Sequence, residues 1–238
     1  MRQDKVIVLM PAYNEAAQIA KVIASIPKKI TTGSKTFSIG VLVVDDCSVD
    51  ETYEQAKGAG ATVLRHVINS GAGAATRTGL RYAANQSEDL QYVVTIDADG
   101  QHDTDDIKKL LQYAITHDAD MVVGNRLHAG NRKDMPLHRT FGNKGLSLIS
   151  RVLFGVKTED TQSGLRLIKR SALTTVADYS IDRYGFCTEM LWQAVRGNLR
   201  VDEVPITVTY SKETLAKGQS NWGVIDLVLD LLWIRLSK

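Results

Sequence analysis

Two cysteines, Cys47 and Cys187, are all that this chain of 238 residues contains. They stand far apart and in no metal-ligand spacing. That excludes a disulfide framework and a thiolate metal centre, and it points to a reducing, cytosolic setting. Long hydrophobic runs are lacking too: no stretch reaches the roughly 18 apolar residues that a transmembrane helix needs. The tail at 222–236 comes nearest and is interrupted by Asp226, Asp230 and Arg235. The apolar run at 6–10 is too short for a signal peptide and reads as a first strand. Neither sign of charge dominates. A formal net charge of +2 excludes nucleic-acid binding by the electrostatics of the chain as a whole. Repeats, low-complexity segments and linkers are absent. What is present is 44% hydrophobic and 24% charged residues, an ordinary globular balance in a chain long enough for one α/β domain and thin for two.

The first half alternates strand-like and helix-like segments. Strands are expected at 6–10, 38–44, 61–66 and 92–96, and helices at 14–26, 50–58 and 73–85. Pro27 ends the first helix, Asp50 is placed to cap the second, and 31–35 reads as a loop. The second half is less regular: strands at 121–123, 165–168 and 201–210, helices at 145–154, 171–176 and 186–195. Strands joined by crossover helices imply a mostly parallel sheet flanked by helices, Rossmann-like and in a single domain. The polar clusters at 11–15, 45–50, 69–73 and 97–103 all follow strands, where ligands sit in such sheets.

The densest chemistry lies at Asp97-Ala98-Asp99-Gly100-Gln101-His102. Along an extended segment Asp97, Asp99 and Gln101 share one side. Two carboxylates and an amide oxygen suit Mg²⁺ or Mn²⁺, which would neutralise a departing diphosphate. The competing reading is a polar turn that caps the next helix, a task residues 103–106 can already perform. Asp45-Asp46 could accept from a base or ribose, or could cap. Tyr13 could stack on a base, and Glu15 could hold ribose hydroxyls or favour a helix N-terminus. Asn69 to Ala75 opens a helix with small residues that let backbone approach a phosphate. It lacks the Lys-Ser/Thr ending of a P-loop and the third glycine of G-x-G-x-x-G, which disfavours ATPase and dehydrogenase readings.

Residues 11–15, 43–52, 69–79, 97–102, 124–126 and 160–166 occur in an order that resembles glycosyltransferase family 2, inverting enzymes of GT-A fold. The second half is similar to the branch that glycosylates polyprenyl or dolichyl phosphate, the dolichol-phosphate mannose and glucose synthases. The resemblance spans about residues 6–220. It implies that Pro11, Ala12, Tyr13, Glu15, Asp45 and Asp46 hold the nucleoside, with Gly71, Asp97, Ala98, Lys217, Gly218 and Ser220 near the donor phosphates. It places Asp97, Asp99 and Gln101 around the metal, and Arg126, Arg139 and Asn143 at the acceptor phosphate. Asp99, Arg126 and Arg139 would carry catalysis. Two departures stand out. Gly71-Ala72-Gly73 replaces a frequent Gly-Lys-Gly, and many relatives continue into transmembrane helices beyond this point.

Between Arg126 and Arg151 six basic residues face one acid, Asp134, which suits an anionic acceptor or membrane surface. A lipid monophosphate is already anionic at neutral pH, so positioning and electrostatics could carry an in-line attack with inversion and no general base. The expected donor is UDP-N-acetylglucosamine or UDP-glucose, with GDP-mannose as a further option. The expected role lies in protein N-glycosylation or cell-surface glycan assembly. Apolar residues at 146–154 and 222–236 read as helices lying on a membrane, giving a domain at 1–221, a C-terminal amphipathic helix at 222–238 and a peripheral location on the cytoplasmic face. The open alternative packs these helices on the core or on a second subunit of a homo-oligomer. Two other functions compete. A soluble or polysaccharide acceptor would need a carboxylate base, Asp160 or Glu189. A non-catalytic nucleotide-sugar sensor would have no need of Arg126 or Arg139.

Overall fold

A computed structural model describes residues 4–127, 137–182 and 185–209, and within 137–144 it describes the helical backbone alone. Eight strands form one sheet: β1 Lys5–Ala12, β2 Lys29–Thr32, β3 Lys35–Asp45, β4 Thr62–Arg65, β5 Leu90–Thr95, β6 Met121–Asn125, β7 Arg166–Lys169 and β8 Val201–Pro205. The helices are α1 Ile19–Ser25, α2 Thr52–Gly58, α3 Ala72–Ala84, α4 Asp106–His117, α5 Leu137–Phe154, α6 Leu173–Val176 and α7 Phe186–Arg196. The sheet order is β2-β3-β1-β5-β7-β6-β8, with β4 paired to β3. Only β2 and β7 run against the rest, since β1 pairs parallel with β3 and β5, β3 with β4, and β6 with β8. This mostly parallel α/β sheet is the expected architecture.

The pleat of β1 shows how the sequence builds two faces. Val6, Val8 and Met10 turn to a core shared with Ile19 and Val22 of α1, Ala56 of α2 and Ile107, Leu110 and Leu111 of α4. Ile7 and Leu9 turn the other way, to Ala75 and Leu80 of α3, Leu146 and Phe154 of α5, Leu173 of α6 and Met190 and Leu191 of α7. A strand buried on both faces has no polar alternation to show, hence its continuous apolar run.

Three sequence expectations shift. Residues 31–35 are not a free loop but the tip of the β2–β3 hairpin, turned at Gly33 with φ +57°. The Gly-Ser pair between two threonine-containing strands was the available signal. Helix α1 starts only at Ile19, because backbone N–H groups of residues 14–16 donate instead to Ser48, Thr52 and Asp50. Asp50 stands one residue before the N-cap position of α2, Glu51; it accepts from Thr52 N, the first of the helix, at 3.0 Å and from Ala16 N at 3.2 Å, tying the start of α2 to the loop after β1. Since β1, β3, β4, β5, β6 and β8 point one way, their carboxyl ends share an edge with the loop that enters β7. All six motif segments meet that edge.

Candidate active site

The loops after β1 and β3 form one braced unit. Asn14 N donates to Ser48 Oγ at 3.0 Å, Val49 N returns a bond to Asn14 Oδ1 at 3.0 Å, and Glu15 N donates to Thr52 Oγ1 at 2.8 Å. Tyr13 stays 47% exposed at this rim, with its ring open to a planar ligand. Asp45 is buried, paired with Arg65 Nε at 3.0 Å and accepting from Ser48 N at 3.1 Å. Asp46 is buried as well. It accepts from Ser70 N at 2.9 Å and Gly71 N at 2.7 Å, and lies 2.7 Å from His66 Nδ1. His66 Nε2 in turn meets Thr78 Oγ1 at 3.0 Å.

That arrangement gives the backbone N–H groups at the α3 N-terminus partners within the protein. Ser70 and Gly71 spend their N–H groups on Asp46, while Gly73 and Ala74 donate to the Asp182 carbonyl at 2.8 and 3.3 Å. A diphosphate at this helix end would have to exchange with these internal acceptors. Gly71, with φ +97°, is required by the turn itself. Sequence spacing could not reveal this, because the capping carbonyl arrives from more than a hundred residues away.

Asp97, Asp99 and Gln101 follow β5 and do come together. The Asp97 carboxylate lies at the mouth of the site, part-buried, 3.3 Å from Nε2 of the buried His102. Burial acts to raise its pKa, but the His102 bond and the charges of His102, Arg126 and Arg166 outweigh it, and the group is held below the usual carboxylate range. Asp99 goes the other way, pushed up to about 6 by burial first and then by the charges of Asp97 and Glu15. Gln101 braces it, donating from N to Oδ1 at 3.0 Å and from Nε2 to Oδ2 at 2.6 Å. Gln101 thus turns its amide nitrogen, not its oxygen, to Asp99.

Two neighbouring carboxylates, one of them driven toward its neutral form by burial first and by the charge of the other second, are a fit for a divalent cation. Among the described residues no three His, Cys, Asp or Glu side chains converge to hold a metal by themselves. A Mg²⁺-type site of one or two carboxylates completed by substrate phosphates matches that donor set. Gly164 admits the arrangement: a Cβ there would run into the Asp97 carboxylate.

Beyond β6, Arg126 is gripped by the fully buried Asp160: Nε to Oδ2 at 2.8 Å, Nη2 to Oδ1 at 2.9 Å and backbone N to Oδ2 at 3.0 Å. Burial works to raise the Asp160 pKa, but the Arg126 charge and bonds prevail and lower it. The same guanidinium acts electrostatically on Asp97, so the acidic and basic halves of the site are neighbours.

The segment 160–166 contributes a further arginine, Arg166, to which the sequence alone assigns no role. Arg166 is 1% exposed and donates to the carbonyls of Ser163 at 2.9 Å, Thr161 at 2.8 Å and Cys187 at 2.9 Å. Glu189 is buried on α7 and accepts from Ser180 N, Ser180 Oγ and Ile181 N at 2.9 to 3.0 Å. Neither Asp160 nor Glu189 therefore presents a free carboxylate for general-base work. Arg139 and Asn143 lie on α5, in the stretch whose side chains are not described; Lys217, Gly218, Ser220 and the tail at 222–238 fall outside the described residues.

The profile of the family described as Glycosyl transferase family 2 matches residues 7–176. The UDP-N-acetylglucosamine–dolichyl-phosphate N-acetylglucosaminyltransferase of Methanococcus voltae is 34% identical over a 255-residue alignment covering 99% of this chain and 98% of that protein. The polyprenol monophosphomannose synthase of Mycolicibacterium smegmatis is 28% identical over 215 residues, 87% of this chain and 78% of that one. Among solved structures, glucosyl-3-phosphoglycerate synthase from Mycobacterium tuberculosis, in complex with Mn²⁺, UDP and glucosyl-3-phosphoglycerate, superposes with a TM-score of 0.69 at 20% identity. The match covers 98% of this chain and 80% of that one, and it is a likeness of fold.

Proposed function

This chain belongs to glycosyltransferase family 2, and on that premise we propose that it transfers a sugar from a nucleotide-diphosphate donor to a polyprenyl or dolichyl phosphate, with inversion. The donor is UDP-N-acetylglucosamine or UDP-glucose before GDP-mannose, a preference supported by the name of the Methanococcus voltae relative. The observation that carries the acceptor reading is the engagement of Asp160 on Arg126 and of Glu189 on residues 180 and 181. A sugar hydroxyl would need a base to take its proton. A lipid phosphate monoester is ionised already and needs only to be held in line, which a fixed guanidinium can do.

In this reading Tyr13 stacks on the base, and Asp45, Asp46 and Glu15 shape the nucleoside slot. Asp97 and Asp99 would hold a Mg²⁺ or Mn²⁺ ion, which would supply positive charge to the departing diphosphate. Gln101 keeps the Asp99 carboxylate in place. Arg126, with Arg139 and Asn143, binds the acceptor phosphate against the anomeric carbon.

The domain spans 1–221, and contact with the cytoplasmic face of a membrane belongs to the same proposal. Leu148 and Val152, 61% and 75% exposed and one turn apart on α5, support it, with Arg151 exposed beside them. Among the described residues no helix is long and apolar enough to cross a membrane. The acceptor assignment is tested by Arg126→Ala and Arg139→Ala. Each is expected to raise the apparent KM for farnesyl phosphate at least tenfold, about 1.4 kcal/mol. Unchanged acceptor kinetics in both variants would remove the arginines from the acceptor site.

A further inference from the structure

Glu203 on β8 is half-buried and makes bonds of one kind only: Oε2 accepts from Glu159 N at 2.8 Å and Oε1 from Asp160 N at 3.0 Å. Among the described residues no lysine or arginine lies within ion-pair distance of it. Its surroundings are unfavourable to a carboxylate. Burial pushes its pKa up, and the charges of Asp160 and Glu159 push it further, against the two amide bonds. A neutral side chain could satisfy one of those amides at lower cost. A charge kept where it costs stability calls for a reason in function.

The connectivity supplies one. The two amides that Glu203 fixes belong to the residue that grips Arg126 and to its neighbour, which also meets the Asn125 side chain at 3.3 Å. Asp160 then locks Arg126 through three bonds. Strand β8 lies beside β6 with Val123 opposite Glu203, so the anchor sits on the strand parallel to the one that Arg126 directly follows. The chain that follows β8 reaches the acidic motif: Ile206 N donates to Asn125 O, Val208 bridges His102, and Thr209 N donates to Gln101 O at 2.9 Å. Residues 201–209 therefore splint the Arg126 arm to the Asp97–Gln101 segment.

We infer that Glu203 is a positioning residue for acceptor binding: through the amides of 159 and 160 it aims Asp160, and through Asp160 the Arg126 guanidinium. This rests on the proposed role of Arg126. Replacing Glu203 by Gln keeps the shape but turns an NH₂ toward one backbone N–H, leaving that donor unsatisfied and the 159–160 turn free to move.

The test is a double-mutant cycle of Glu203→Gln and Arg126→Ala, assayed with UDP-N-acetylglucosamine, Mn²⁺ and farnesyl phosphate. It is accompanied by hydrogen exchange over peptides containing 157–163 and by titration of UDP. Glu203→Gln is expected to raise the farnesyl phosphate KM about tenfold. UDP affinity should stay within twofold, the melting temperature should be unchanged or higher, and exchange at 159–160 should be faster. Added to Arg126→Ala, it should cost less than twofold more. A merely structural Glu203 would instead lower the melting temperature and weaken UDP and acceptor together, and that result overturns the inference. So does full additivity with Arg126→Ala, or unchanged exchange at 159–160. If Arg126→Ala raises the acceptor KM while Glu203→Gln is silent, the relay fails and the acceptor site stands. If both are silent, the acceptor assignment itself has failed.

Discussion

Replacing Asp160 by Asn separates two chemistries that the sequence alone left open. Asp160 is wholly buried and answers three donors of Arg126, whose own side chain is 14% exposed. The amide retains one acceptor oxygen, places an NH₂ against an N–H, and removes the charge opposite a guanidinium that has little solvent to turn to. Breaking one side of a buried ion pair costs about 3–5 kcal/mol. With the amide oxygen in the Oδ2 position, where it keeps the bonds from Nε and the backbone N, about 3 kcal/mol is expected, a large share of the roughly 5–15 kcal/mol that keeps a domain folded. For a chain of this size that corresponds to a fall in melting temperature of about 6–12 °C. Scanning calorimetry reads that fall, and initial rates at rising acceptor concentration read the second effect: a higher acceptor KM with turnover partly recovered at saturation. A melting temperature within about 1 °C of the parent, together with turnover abolished at saturating acceptor across pH, would refute the reasoning. Asp160 would then be a general base and the acceptor a hydroxyl.

Three further outcomes follow from the same geometry. Gly164→Ala should displace the Asp97 carboxylate and cut kcat/KM for the donor about a hundredfold while acceptor KM barely moves, a split seen by varying each substrate in turn. Arg166→Lys should cost about 2–4 kcal/mol in urea unfolding, because an ammonium on a single stem cannot meet the carbonyls of Thr161, Ser163 and Cys187 in their fixed fork. In metal-free protein the raised Asp99 pKa of about 6 means that the folded state binds a proton the unfolded state releases between about 3.8 and 6. Asp99's contribution to stability is therefore greatest below that window and is lost as pH rises through it. Asp99→Asn should abolish this part of the pH dependence of the melting temperature, and donor binding in the parent should weaken as pH falls through 6.

Much of this was legible because it is local. Polar clusters immediately after apolar runs place ligands at strand ends whatever the order of strands. The Asp97–Gln101 spacing puts two carboxylates side by side with no help from the rest of the chain. What escaped was set by distant contacts. The Asp182 carbonyl that occupies the α3 N-terminus approaches only because α3 packs beside the 179–182 segment. The spent state of Asp160 depends on Arg126, 34 residues earlier in the loop after β6. Arg166 reads as one charge among many in the sequence, and its role needs three carbonyls from two separate segments. Strand β2 was missed for a different reason: four residues at an edge carry too short a pattern to rise above a loop.

The central claim is transfer of sugar to a lipid phosphate, and product analysis addresses it most directly. Purified protein would be incubated with Mn²⁺, farnesyl phosphate and, in separate reactions, UDP-N-acetylglucosamine, UDP-glucose and GDP-mannose, and the lipid fraction read by mass spectrometry. The account predicts a phosphate-linked glycolipid from one of these donors, absent with Asp99→Ala. Release of nucleoside diphosphate without glycolipid from any donor would contradict it and place the sugar on another class of acceptor.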